Sequence, residues 1–91
     1  MSPRKDIGPP SEHDVVELKH LLHTEDFAGV REILLTAGTE GTIMEIGELP
    51  GQPTGYLVEF CDAAGITLAM PWLRHEDSEI IERYRDLTQH Q

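Results

Sequence analysis

Three alternating apolar segments, separated by glycine turns in the middle of the chain, constrain the fold more than any other feature. They read Gly38-Thr39-Glu40-Gly41-Thr42-Ile43-Met44-Glu45-Ile46, then Tyr56-Leu57-Val58-Glu59-Phe60, then Asp62-Ala63-Ala64-Gly65 followed by Ile66-Thr67-Leu68-Ala69-Met70. Larger apolar groups recur at every second position. This period places Met44 with Ile46, Tyr56 with Val58 and Phe60, and Ile66 with Leu68 and Met70 on one face. The pattern predicts a curved antiparallel meander with one buried face. It defines an architecture and no activity.

The flanking segments extend this reading. Residues 1–12 hold Pro3, Gly8, Pro9, Pro10 and Ser11 with one large apolar side chain, Ile7, and read as a flexible tail. The domain is expected over residues 13–83, opening with a strand at Asp14-Val15-Val16-Glu17-Leu18 whose Val16 and Leu18 share the buried face. Between Lys19 and Thr36 the apolar residues have mixed spacing, and Gly29 interrupts any long helix. A loop with one helical turn near Glu25 to Gly29, then an extended piece Arg31 to Leu35, is expected there. Gly38 and Gly41 bracket a tight turn. The loop Gly47 to Thr54, with Pro50, Gly51 and Pro53, projects without disturbing its flanking strands. Asp62 to Gly65 matches a type I turn closed by a left-handed glycine.

Pro71, lacking an amide hydrogen, is expected to stop the ladder. Two readings compete beyond it. Ile80, Ile81, Tyr84 and Leu87 fall at helical spacing with Ser78 as a cap. Alternatively, a 3-10 turn between Trp72 and Ser78 precedes a last strand at Glu79 to Arg83. Residues 84–91 are then a C-terminal tail or the end of a short helix.

A chain of 91 residues forms one domain, and one of this size buries only roughly 60 to 65% of its unfolded surface. With 38% hydrophobic and 5% aromatic residues, its core is thin, and a partner that covers surface would add stability. Seventeen acidic against seven basic residues give a formal charge of −10. The basic residues form no stripe, which disfavours nucleic-acid binding and suits a basic protein partner. The single cysteine, Cys61, excludes an internal disulfide and a cysteine-rich zinc site. No segment approaches the roughly 20 apolar residues of a membrane span, and the first residues lead into a polar stretch unlike a signal peptide. A soluble, cytoplasmic protein is expected.

The segments Asp14 to Leu18, Gly38 to Ile46, Tyr56 to Phe60 and Asp62 to Gly65 together resemble the bacterial domain-of-unknown-function family 4926. The resemblance covers roughly Asp14 to Ile80. It implies a mainly β fold, a small SH3-like barrel of about five antiparallel strands with a short 3-10 or helical C-terminal segment. It also favours the strand over the helix after Ser78, and brings no catalytic residues with it. Leu57 stands where a polar residue is more usual in that pattern, and Leu21 to Leu35 is longer and more apolar, which marks a contact surface.

No residue set assembles a catalytic, cofactor-binding or metal site. His20, His23 and His75 lack a diagnostic ligand spacing and read as surface or loop histidines. Cys61 lies beside Asp62, whose charge makes a thiol less nucleophilic. Glu45 and Glu59 fall on outward faces of adjacent strands and are expected side by side, as a solvated face or a docking surface for a basic partner. Trp72 and Leu73, with Leu21, Leu22 and Phe27, are divided between core packing and partner binding. A non-enzymatic protein–protein interaction module follows, of which an antitoxin or immunity-type neutraliser of a basic toxin is one form. The alternatives are a self-assembling homodimer formed through open edge strands and an accessory subunit of an enzyme.

Overall fold

The computed structural model of the chain describes residues 9–83. Residues 1–8 of the expected 1–12 tail, and residues 84–91 with Tyr84 and Leu87 of the helical reading, lie outside the described residues. The rest is antiparallel β structure: β1 (Val15–Leu18), β2 (Leu22–Glu25), β3 (Glu32–Leu35), β4 (Glu40–Gly47), β5 (Gly55–Cys61), β6 (Thr67–Ala69), β7 (Trp72–Arg74) and β8 (Ser78–Glu82). A 3-10 turn, His75–Asp77, joins β7 to β8, so the strand reading holds over this stretch and the helical one does not.

Six strands form one sheet in the order β6-β5-β4-β1-β8, with β7 also on β5. The other two, β2 and β3, form a separate hairpin. Thus the chain is mainly β and antiparallel, with more strands than the five expected. Among the described residues no pairing joins β8 to β6 or β7, and the sheet is open.

The core lies where the alternating residues of β1, β4 and β5 converge. Val16, Leu18, Ile43, Val58 and Phe60 are buried there, joined by Tyr56, Leu35, Ala69 and Leu73. Strand β1 has the expected parity. In β4 the parity changes partway, because pairing passes from Ile43↔Val58 to Glu45↔Leu57 and leaves Met44 as a bulge. Ile43, not Met44, therefore fills the core, and Met44 is 38% exposed.

The β5–β6 connection forms as expected at its turn. Asp62 donates its amide to the Ile66 carbonyl, its Oδ1 accepts the amides of Ala64 and Ile66, and Gly65 has φ +84°. This turn takes Ile66 into itself and leaves it exposed, and Ala69 opposite Phe60 becomes the buried residue of β6. The expected inward set Ile66, Leu68 and Met70 is corrected accordingly. Pro71 interrupts the ladder without ending it. Its carbonyl accepts the Val58 amide at 3.0 Å, and pairing with β5 resumes at Trp72. Proline lacks a donor but keeps its acceptor.

Within Lys19 to Thr36 the extended piece forms, as β3, while the expected loop and helical turn are replaced by a strand, β2, that pairs with it as a hairpin. Its register runs from Leu22↔Leu35 to Glu25↔Glu32, around a turn in which Asp26 Oδ1 accepts the Val30 amide at 2.9 Å. That bond holds the Asp26 carboxyl below its usual range, against an opposing effect of desolvation. One hairpin face reaches the core through Leu35, with Leu22 and Ile33 partly buried, while Leu34 on the other face is exposed.

Gly41 is a packing residue within β4, with no turn conformation. A Cβ there would stand 2.6 Å from Val58 Cγ1, 2.8 Å from Phe60 Cε1 and 2.9 Å from the Glu59 carbonyl oxygen. The turn itself relies on Gly38, at φ +91°. Gly41→Ala is expected to lower stability by about 1 to 3 kcal/mol through overpacking, measured as a shifted urea midpoint at an unchanged slope.

Candidate functional site

The outward sides of β4, β5 and β7 build a surface that the core does not require. Cross-strand partners in a sheet share a face. Glu45, Leu57 and Trp72 therefore form one outward row, and Gly47, Gly55 and Arg74 the next. The two glycines leave a bare floor beside the tryptophan. A Cβ at Gly47 would lie 3.1 Å from Trp72 Cζ3, and one at Gly55 would lie 3.3 Å from Cε3, so the indole rests directly over both backbones.

Trp72 is 54% exposed even so, and Leu49 on the following loop is 69% exposed. Gly51, at φ +75°, and a hydrogen bond from the Gln52 amide to the Leu49 carbonyl turn that loop back. The result is a groove of about 390 Å³ lined by Gly47, Leu49, Gln52, Pro53, Gly55 and Trp72. Glu45 and Glu48 are exposed close by in sequence.

The other residues singled out from sequence are distributed differently. Leu73 is 2% exposed and belongs to the core, which removes it from any partner surface. Phe27, 62% exposed, sits at the hairpin turn with its amide on the Leu68 carbonyl and lines a separate groove with Met70 and Pro71. The two grooves share no lining residue. Leu21 is exposed, and Leu22 is half-buried against the core.

Glu45 and Glu59 are not cross-strand partners, since Glu45 lies opposite Leu57 and Glu59 opposite Thr42. The register instead sets Glu45 diagonal to Glu59 on the same outward face, two positions along β5. Glu59 accepts the Thr67 hydroxyl and is held within the protein. Beside it, Cys61 is exposed. Partial desolvation, the Glu59 charge and a hydrogen bond to Glu59 push its thiol up, opposed by Thr67, with a smaller push from Asp62. A thiol so raised is a poor nucleophile.

The three histidines considered as ligands lie on different parts of the fold. His23 lies in β2 opposite Leu34, and His75 lies in the 3-10 turn. His20 Nε2 meets Asp77 Oδ1 at 2.9 Å while Nδ1 meets the Leu21 carbonyl at 3.0 Å. Among the described residues no group of three or more histidine, cysteine, aspartate or glutamate side chains is placed to hold a metal ion.

The Leu49 groove was not legible from sequence, where Gly47 to Thr54 reads only as a projecting loop. The available signal is the pair Gly47 and Gly55 at facing strand ends, which makes room for a large outward side chain. A second feature missed is the buried Asp14, whose Oδ2 accepts the Ser11 amide at 2.9 Å and lies 3.5 Å from Arg83 Nη1. Sequence holds no signal for a pair so far apart along the chain.

Fold and surface together define a small antiparallel β domain with an exposed aromatic groove. The chain belongs to the family described as Domain of unknown function (DUF4926), whose model matches residues 12–80. No curated protein and no solved structure matches the chain. Among the described residues no helix is long and apolar enough to cross a membrane.

The His20 contacts make a pH prediction. Both partners are pure acceptors, and only the imidazolium donates from both ring nitrogens. The Leu21 carbonyl and then Asp77 raise the His20 pKa, with desolvation and Lys19 opposing them. The resulting stabilisation is fully present below the unfolded value of about 6.5 and disappears as pH rises through the raised folded value. Melting curves of the wild type and His20→Gln are expected to differ at about pH 5.5 and to converge by about pH 8.5.

Proposed function

We propose that this chain is a non-enzymatic protein–protein interaction module that docks a basic segment of a partner protein in the Trp72 groove. The observation that carries the reading is a half-exposed tryptophan resting on two glycines beside an exposed leucine. A core-forming tryptophan would be covered, and indole is the side chain most often found at the energetic centre of an interface. Glu45 and Glu48, within a chain of net charge −10, favour lysine and arginine around an apolar anchor on the partner. We read the sheet as an SH3-like barrel left open beside β8, and the chain as a cytoplasmic protein.

The test starts with the full chain as bait, identification of the bound protein, and reconstitution of the pair from purified components. Trp72→Ala is expected to weaken the reconstituted complex by about 30-fold or more while leaving the melting temperature close to wild type. Raising salt is expected to weaken it further. Unchanged affinity in the variant overturns this reading. So does light scattering that shows a Trp72-dependent homodimer with no second protein.

A further inference from the structure

We propose that the inner side of the sheet carries a second site, which binds a small carboxylate with an apolar body. A cavity of about 320 Å³ opens there, on the face opposite the tryptophan groove. Its volume falls at the small end of the roughly 300 to 1,000 Å³ common for ligand sites. Val16, Ile43 and Ile80 supply an apolar floor. Above them the lining becomes polar, through Tyr56, Ser78, Lys19 and His75.

Tyr56 is the informative member. It is only 8% exposed and lines the cavity, and its hydroxyl makes no hydrogen bond to any described residue. The hydroxyl is not sealed from solvent, so it is free to donate to a group that enters the cavity. Here the cavity is where a partner fits. Ser78 brings a second hydroxyl to the same space, and Lys19 brings an ammonium group.

These three are donors, and they converge over hydrocarbon. The complementary ligand presents acceptor oxygens with negative charge at one end and an apolar group at the other. Two of the four lysine and arginine residues in the described range, Lys19 and Arg83, line this one cavity of a strongly acidic chain. Arg83 is balanced by Asp14 at 3.5 Å and fixed by its bond to the Pro9 carbonyl at 2.8 Å, so it walls the site. Lys19 is the cation left to meet the ligand, and Glu79, which also lines the cavity, selects against a second negative charge. A monocarboxylate on a small ring or branched chain satisfies all of these groups.

The experiment uses the full chain and sodium benzoate as probe, followed by amide chemical shifts, with benzyl alcohol as its uncharged counterpart. Benzoate is expected to give saturable shifts at Val16, Ile43 and Ile80, and benzyl alcohol to bind about tenfold more weakly or less. Tyr56→Phe keeps the ring and its packing, and is expected to weaken benzoate about tenfold at an unchanged melting temperature. Lys19→Met, an exposed change that leaves the core intact, is expected to do the same. The proposal is overturned by an absence of saturable shifts, by shifts confined to Leu49 and Gln52, or by equal affinity in wild type and both variants.

Discussion

The inward side of β5 is the constraint on which the structure depends. Val58 and Phe60 remain dry, and Tyr56 nearly so, only if both edges of their strand are paired and a second layer faces them. Strand β4 meets one edge, while β6 and β7 share the other as one strand interrupted at Pro71. Fully burying large apolar side chains contributes about 1.5 to 3 kcal/mol each, so a small core has few to spare. Gly41 belongs to the same arrangement, since only a hydrogen at that position lets Val58 and Phe60 close against β4.

A charged arrangement secures the other side of the sheet. Asp14, 1% exposed, precedes β1, and Arg83 follows β8, the strand paired with β1. The same carboxylate holds the Ser11 amide, and Arg83 holds the Pro9 carbonyl. A buried carboxylate is expensive unless charge and hydrogen bonds compensate it, and its geometry then becomes specific. His13 accepts an uncommon left-handed conformation, φ 73°, between these contacts, with its amide 2.6 Å from the Ile43 carbonyl. Segments distant in sequence are thereby joined at the entrance to the inner cavity.

What could be read from the sequence was whatever local chemistry dictates. The Asp62 turn, Gly38, the parity of β1 and that of β5 follow from hydrogen-bonding and steric rules that act within a few residues. The terminal strand competes with a helix because Ile80 and Ile81 suit either period, and only pairing with β1 decides between them. The Met44 bulge was invisible, because an alternating pattern carries no mark of an extra residue. Its effect is large, because Ile43 and Ile46 both lie on the inward side while Glu45 turns outward. The β2–β3 hairpin was obscured for a related reason. It gives the core one fully buried side chain, Leu35, and its other apolar residues are left at spacings no single period describes.

The two surfaces are separated by one sheet thickness. Tyr56↔Leu73 and Leu57↔Trp72 are successive pairs in the β5–β7 ladder, so Tyr56 faces the cavity while Trp72, one step along, faces the groove. Tyr56 itself lies on β5, and β7 reaches it only through their shared ladder. A ligand that ordered Tyr56 would restrict the strand that presents Trp72, and a partner seated on Trp72 would restrict Tyr56 in turn. Any coupling of binding between the two faces would act equally in both directions.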